Sequence, residues 1–400
     1  METITLTISD ETLRDGEQQV GLLFTPEMKY NLAHQIAKTG VHQIALMPAV
    51  HATEEQLVET LVMQGLENRI AASTMMTRSF IDLSKSCGVK QIILFHAVSD
   101  RLLFLRDVEI SQQPLYQGKT IDDSIPNAVI DRLRQTMLQK VVEHLRYAAS
   151  QGLKIYFAAE DASRADFDFL VECIRVFMPY LQQFLLCDTV GVLTPEKTFV
   201  WMRDLLEYTN HPSLSVHFHN DMGLALENTI QAVVAGAVGI SGTFGGIGER
   251  SGNVALDQVL NGLRLRFGWE VDGIDYDAVA ALSDYFAQHN IRAHPPYSPQ
   301  SQRHEAGIHV HSLLRDRHSY AIFPYGQPEI WFGKCSGVSN VQYLFERHLC
   351  HPLTRDHYER LSLAIKTLAI QENRSFSVAE VVQMLQSGKL GTDLSPLDPP

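Results

Sequence analysis

Along the first two-thirds of the chain, short apolar or β-branched runs alternate with longer stretches whose apolar positions recur every three or four residues. The runs fall at residues 4–8, 41–47, 69–75, 89–95, 153–158, 184–187, 214–218 and 237–243, and their length and composition suit strands. Helical patterns occupy 26–39, 53–64, 130–151, 166–178, 195–208 and 225–235. Several open on a proline or an acidic residue and close near Gly40, Gly152 or Gly236. This alternation predicts a (β/α)8 TIM barrel, with a doubly wound open sheet as the alternative. A barrel makes a demand on chemistry, because functional side chains then belong at the C-terminal ends of the strands.

The rhythm stops near residue 270. Residues 268–277 read as a linker, followed by a helix over 276–289, a proline-rich turn at 293–299, helical patterns at 355–371 and 378–386, and a frayed tail at 392–400. The expected division is a catalytic barrel over 1–270, a linker and lid over 271–345, and a small helical C-terminal subdomain over 346–400.

Composition narrows the class. The chain has 400 residues, of which 45% are hydrophobic and 20% charged, an ordinary balance for a globular protein with a sizeable core. No apolar stretch reaches the roughly 18 residues of a membrane span, and the first ten residues lack a basic start and an apolar run, so a cytoplasmic protein is expected. Five scattered cysteines without Cys-x-x-Cys spacing fit reduced thiols. A net charge of −13 argues against a nucleic-acid surface, while a few local arginines could still hold a small anionic substrate.

Candidate chemistry sits where the barrel asks for it. Polar clusters follow the first strand (DETLRDGEQ, 10–18), the fifth (EDASR, 160–164), the sixth (DTVG, 188–191), the seventh (HFHND, 217–221) and the eighth (GGIGERSGN, 245–253). His217 and His219, two apart in a strand, share one face and can meet one metal ion. The glycine-rich run follows the last strand, which is the wrong context for a dinucleotide loop.

With these residues laid out, a resemblance emerges. TLRDGEQ (12–18), HFHNDMG (217–223), GIGERSGN (246–253) and HEAGIH (304–309) resemble the signatures of the DRE-TIM metallolyase superfamily. Within it they look like the acyl-CoA Claisen-condensing branch of homocitrate, isopropylmalate, citramalate and Re-type citrate synthases. EDASRAD (160–166) and DTVGVLTP (188–195) look closest to the homocitrate synthases associated with nitrogenase cofactor assembly. The resemblance implies a TIM barrel, a divalent metal ion (Mg, Mn, Zn or Fe(II)), acetyl-CoA and a 2-oxo acid. The metal ligands would be Asp15, His217, His219 and the side-chain oxygen of Asn253, a mixed oxygen and nitrogen set open to a chelating substrate. Arg14 would donate to the developing oxyanion. Glu160 or His304 would be the base, with Tyr320 on the same lid segment, and Thr189, Arg164 and the Ala45 position would contact the acceptor. The resemblance also implies a homodimer whose lid residues are lent across the interface.

The chain also departs from the family pattern. Ala45 stands where relatives carry a glutamate, and Tyr156 where lysine-pathway homocitrate synthases carry an arginine. Cys335 replaces a usual histidine, His311-Ser312 a common Asp-Gly pair, and Glu11 a usual threonine. No further region follows that could serve as an amino-acid-sensing regulatory domain, so such control is not expected. The expected activity is condensation of acetyl-CoA with a 2-oxo acid, then thioester hydrolysis, as an acyltransferase that converts the acyl group to alkyl. The best single acceptor is 2-oxoglutarate. Pyruvate, oxaloacetate, 2-oxoisovalerate or phosphonopyruvate are alternatives, as is a metal-dependent lyase or aldolase.

Overall fold

In the computed structural model of the chain, residues 1–321, 323 and 326–390 are described, and the tail expected at 392–400 lies outside them. Eight parallel strands close into a barrel in chain order: Thr7–Asp10, Gln43–Leu46, Ile70–Met75, Gln91–Ala97, Lys154–Glu160, Gln183–Asp188, Leu214–Phe218 and Gly239–Gly242. The first strand pairs with the eighth from Thr7 opposite Gly239 to Asp10 opposite Gly242, which completes the ring. All eight predicted runs therefore become barrel strands, and the open-sheet alternative is excluded.

The first run is split, however. Glu2–Ile4 leaves the barrel and pairs in parallel with Trp269–Val271, inside the stretch expected to be a linker. This small sheet lies outside the ring, so residues 268–277 are a structured tie between the chain's start and the end of the barrel.

Local chemistry explains most helix boundaries. Pro26–Lys38 and Pro195–Thr209 each start on a proline, with the hydroxyls of Thr25 and Thr194 accepting from the backbone N–H groups of Met28 and Lys197. Ala225–Ala235 ends at Gly236 with φ +118°, a left-handed cap that glycine adopts without strain. Two barrel helices, Arg78–Ser86 and Leu256–Phe267, were not anticipated and complete the third and eighth units.

The main hydrophobic cluster lies between strands and helices and extends to Ile291 and Tyr320. A second, built from Val310, Phe332, Phe345, Leu361, Phe376 and Val381 among others, organises the C-terminal body. Helices Gly307–Leu313, Arg355–Glu372 and Val378–Gln386 belong to this part. One of its links to the barrel is ionic and buried. Lys334 contacts Glu17 (2.8 Å) and Glu54 (2.6 Å), and Lys29 contacts the same two carboxylates (2.7 and 2.5 Å). No helix among the described residues is long and apolar enough to cross a membrane.

Candidate active site

The C-terminal ends of the strands gather the polar clusters at one mouth. Asp10 closes the first strand, Glu160 the fifth and Asp188 the sixth, while His217 is next to last in the seventh and His219 lies one residue beyond it. The alternation of a strand turns both imidazoles inward, with ring centroids 5.1 Å apart. Asp15 arrives from the loop after the first strand, and its Oδ2 stands 3.9 Å from Nε2 of each histidine. Ligand atoms of Asp15, His217 and His219 all lie within 4.8 Å of one another, and all three residues are buried.

The surroundings prepare these groups for a cation. Burial alone would raise the Asp15 carboxyl, but Arg14, the two histidines and the Asn253 amide outweigh it and hold the group well below the usual carboxylate range. Burial keeps both imidazoles neutral, with the charge of Arg250 adding to the effect at His219. Nδ1 of His217 lies 3.1 Å from the Ser241 hydroxyl, which donates to Glu11 at 3.3 Å, so the ring is oriented from behind. Asn253 donates through Nδ2 to Asp15 Oδ1 (2.7 Å) and to the Ile247 carbonyl (3.1 Å). Its Oδ1 is left buried without a partner among the described residues, as is Nδ1 of His219. An orphaned amide oxygen beside a carboxylate and two neutral imidazoles fits a divalent ion, because a buried acceptor otherwise loses its solvation uncompensated.

Glycine makes this packing possible. Gly248 has φ +149°, and a Cβ there would strike Asn253 Nδ2 and come within 2.6 Å of Asp15 Oδ1. The neighbouring loop is pinned by a buried ion pair in which Arg250 meets Asp221 through Nε (2.8 Å) and Nη2 (2.9 Å) and also reaches the Thr189 carbonyl (2.5 Å). Loops after the sixth, seventh and eighth strands are thereby fastened together.

Above this pocket lies the segment after the barrel. Tyr320 donates to Glu160, whose two oxygens also accept from Arg106 at 2.6 and 2.8 Å. Burial would raise Glu160, but Arg106 and Tyr320 reverse the shift, so its carboxylate stays ionised with its lone pairs occupied. Tyr320 stacks on His309 with centroids 3.7 Å apart, and Nδ1 of His309 lies 3.0 Å from Glu249. Burial together with the charge of Arg250 keeps His309 neutral, and burial pushes Glu249 up to about 8, assisted by nearby Asp15.

His304, in the short strand Arg303–His304, is buried and neutral, lowered to about 3 by burial and Arg250, and its ring makes no hydrogen bond among the described residues. The hydroxyl of Thr189 accepts from the Asp161 backbone N–H at 2.8 Å. Arg164 is fully engaged by Asp161 (2.6 Å) and by the lid carbonyls of His318 (2.6 Å) and Ser319 (2.7 Å), so it ties the lid down. Ala45 is fully buried in the barrel. Lid residues Ser319 and Tyr320 lie on the mouth of this chain's own barrel. Arg106, Glu249 and His309 were not singled out from sequence. Only the motif membership of the last two signalled them, and Arg106 sits at the end of an unremarked short helix, Asp100–Arg106.

Known proteins resemble this chain in sequence and in fold. The HMGL-like family model matches residues 5–112 and 123–285. Homocitrate synthase AksA of Methanothermobacter thermautotrophicus is 32% identical over 372 residues, covering 90% of this chain and 88% of that protein. 2-Isopropylmalate synthase 2 of Caldanaerobacter subterraneus subsp. tengcongensis is 28% identical, covering 95% and 94%. Among solved structures, the HMG-CoA lyase of Brucella melitensis superposes with a TM-score of 0.55 at 18% identity, over 72% of this chain and 99% of that one, a likeness of fold.

Proposed function

The chain belongs to the HMGL-like family, and from that premise we propose that it is an acyltransferase that condenses acetyl-CoA with a 2-oxo acid and then hydrolyses the thioester. The observation that carries this reading is the convergence of Asp15, His217 and His219 with the orphaned Asn253 Oδ1, beneath a lid whose Tyr320 reaches Glu160 and whose His309 stacks on Tyr320. The relatives named homocitrate synthase and isopropylmalate synthase support the reaction class.

A divalent ion held by Asp15, His217, His219 and Asn253 would supply Lewis-acid polarisation of the acceptor ketone. Arg14 is aimed by Glu11 (2.7 Å) and Asp15 (3.1 Å), which leaves it to donate to the oxygen on which charge develops. The acetyl methyl group must lose a proton whose acidity lies far above neutral pH, so a neutral base held in place is required. His309 fits that role better than His304 or Glu160, the two residues favoured from sequence. It is neutral, it is oriented by Glu249 and it is stacked on Tyr320, whereas the Glu160 lone pairs are committed. Glu160 and Arg106 then act as positioning residues for the Tyr320 hydroxyl. The methyl carbon bonds to C2 of the oxo acid, the resulting alkoxide takes up a proton, and water cleaves the thioester to free CoA.

The test is release of free thiol from acetyl-CoA that depends on both a divalent metal and a 2-oxo acid. 2-Oxoglutarate, the acceptor the motifs suggest, heads a panel with pyruvate, oxaloacetate, 2-oxoisovalerate and phosphonopyruvate. Absence of thiol release across that panel would overturn the reading, and cleavage of a hydroxy-acyl thioester instead would mark a lyase.

A further inference from the structure

Residues 113–122 fall between the two stretches that the family model matches, and they help to build a second cavity. Its volume is about 260 Å³. Tyr116 and Lys119 of that segment line it, together with Phe104 from the helix after the fourth strand and Arg315 and Arg347 from the chain beyond the barrel. None of the proposed metal ligands lines it, nor do Glu160, His309 or Tyr320. Arg101 fastens its two sides together, meeting both oxygens of Asp122 at 2.7 and 2.8 Å and donating also to Asp316, the neighbour of Arg315.

The lining is cationic and lacks a counter-charge. Lys119, Arg315 and Arg347 face the cavity, and no aspartate or glutamate is among the described residues that line it. Lys119 and Arg347 form no ion pair among the described residues. Arg315 has neutral partners: its Nη1 donates to the Leu105 carbonyl and, at 2.8 Å, to Nε2 of His311. Burial brings His311 down to about 4, with Arg315 and Arg106 adding to the effect, so the imidazole is neutral and accepts. The family pattern commonly has an aspartate at that position, so a carboxylate beside Arg315 has given way to an uncharged ring. Desolvation lowers Arg315 as well, and no carboxylate offsets that cost.

Three such cations call for an anion. A phosphate ester suits them better than a carboxylate, because it is close to dianionic and offers the guanidinium forks several acceptor oxygens. The remaining space has a ring wall, in which Phe104 and Tyr116 meet edge to face with centroids 5.9 Å apart. That wall can take an organic group. We propose that this cavity binds a phosphorylated small molecule, with its phosphate held by Lys119, Arg315 and Arg347.

Calorimetry of the full chain with inorganic pyrophosphate should show saturable binding at one site, weakened about tenfold or more in Lys119→Gln/Arg347→Gln, whose folding is checked by its melting temperature. Absence of saturable binding by the wild-type chain overturns the proposal. So does equal binding by the double variant, or an equal loss in Lys38→Gln/Lys197→Gln, which removes the same charge from exposed positions elsewhere. Competition then separates two sources of the phosphate. Displacement of pyrophosphate by CoA assigns the cavity to the nucleotide end of the acyl donor, whereas binding that persists under saturating CoA assigns it to a separate phosphorylated ligand; the proposal stands in either case. No step of this test needs turnover, so its outcome is independent of thiol release and of the condensation reading.

Discussion

At the scale of single residues, the site contains buried polar atoms, Asn253 Oδ1 and His219 Nδ1 among them, that have no hydrogen-bond partner among the described residues. Gly248→Ala would push a methyl group against Asn253 and Asp15 without disturbing the barrel core. We expect metal affinity to fall by about 10- to 100-fold, as it does when the support of ligands is disturbed, with little change in melting temperature; unchanged affinity by metal titration would remove Asn253 from the ligand set. The two lid histidines separate cleanly. His309→Asn should lower kcat by about 100-fold or more, whereas His304→Asn should act mainly on stability, and a larger kcat loss for the latter would reverse their roles. The grouping of Asp15, His217 and His219 was legible in the sequence because each lies in a motif that follows or ends a strand, and the family resemblance of those motifs singled them out. His309 was passed over because HEAGIH offers two histidines, and only the packing shows which one meets Tyr320 and Glu249. Arg106 carries no local signal at all, since its meaning comes from the fifth strand across the mouth.

At the scale of elements, all eight strands could be read because buried parallel strands are written as apolar runs. Arg78–Ser86 could not: its nine residues include three serines, one acidic and two basic residues, and only Ile81 and Ser84 are buried. The pairing of Glu2–Ile4 with Trp269–Val271 was equally hidden, because contacts between distant short segments leave no periodicity. The Lys29, Glu17, Glu54 and Lys334 quartet joins the first two helical units to the lid, and its pH response can be derived. Burial would raise Glu54, but Lys29 and Lys334 pull it from 4.5 down to about 2. Its stabilisation is therefore complete above pH 4.5 and lost as pH falls through about 2. Lys334 moves the other way: burial alone would lower it, but Glu17 and Glu54 raise it above its ordinary 10.5. Its contribution is complete below pH 10.5 and lost at higher pH. Hydrogen exchange across residues 303–345 should thus accelerate as pH drops from 4.5 towards 2, after correction for the intrinsic pH dependence of exchange. Glu54→Gln, which leaves two buried ammonium groups sharing one carboxylate, should cost roughly 3–5 kcal/mol and largely abolish that acid response. An acid response retained in full would place the responsible group elsewhere.

For the molecule as a whole, two hydrophobic clusters share one active site, since the ligands stand on the barrel and His309 and Tyr320 come from the chain beyond it. Tyr320 belongs to the barrel cluster while Val310, one residue after His309, belongs to the second, so the site lies on the seam between the two cores. Order in the C-terminal body is therefore a condition for placing His309. Phe332 is fully buried in the second cluster and forms an antiparallel bridge with Phe376. Phe332→Ala should cost that cluster about 3–5 kcal/mol through lost burial and the cavity left behind, without touching a barrel residue of the metal set. Its consequence should be selective: metal affinity at Asp15, His217 and His219 is retained, kcat falls with the population of the ordered lid, and hydrogen exchange rises over 303–390 while the strands stay protected. In denaturant the wild-type chain, latched by the quartet, should lose both clusters together, whereas the variant should show an early transition in the C-terminal body and a later one in the barrel. Coincident transitions in the variant, or metal binding lost along with kcat, would mean that barrel and lid fold as a single unit and that the seam has no independent part in placing His309.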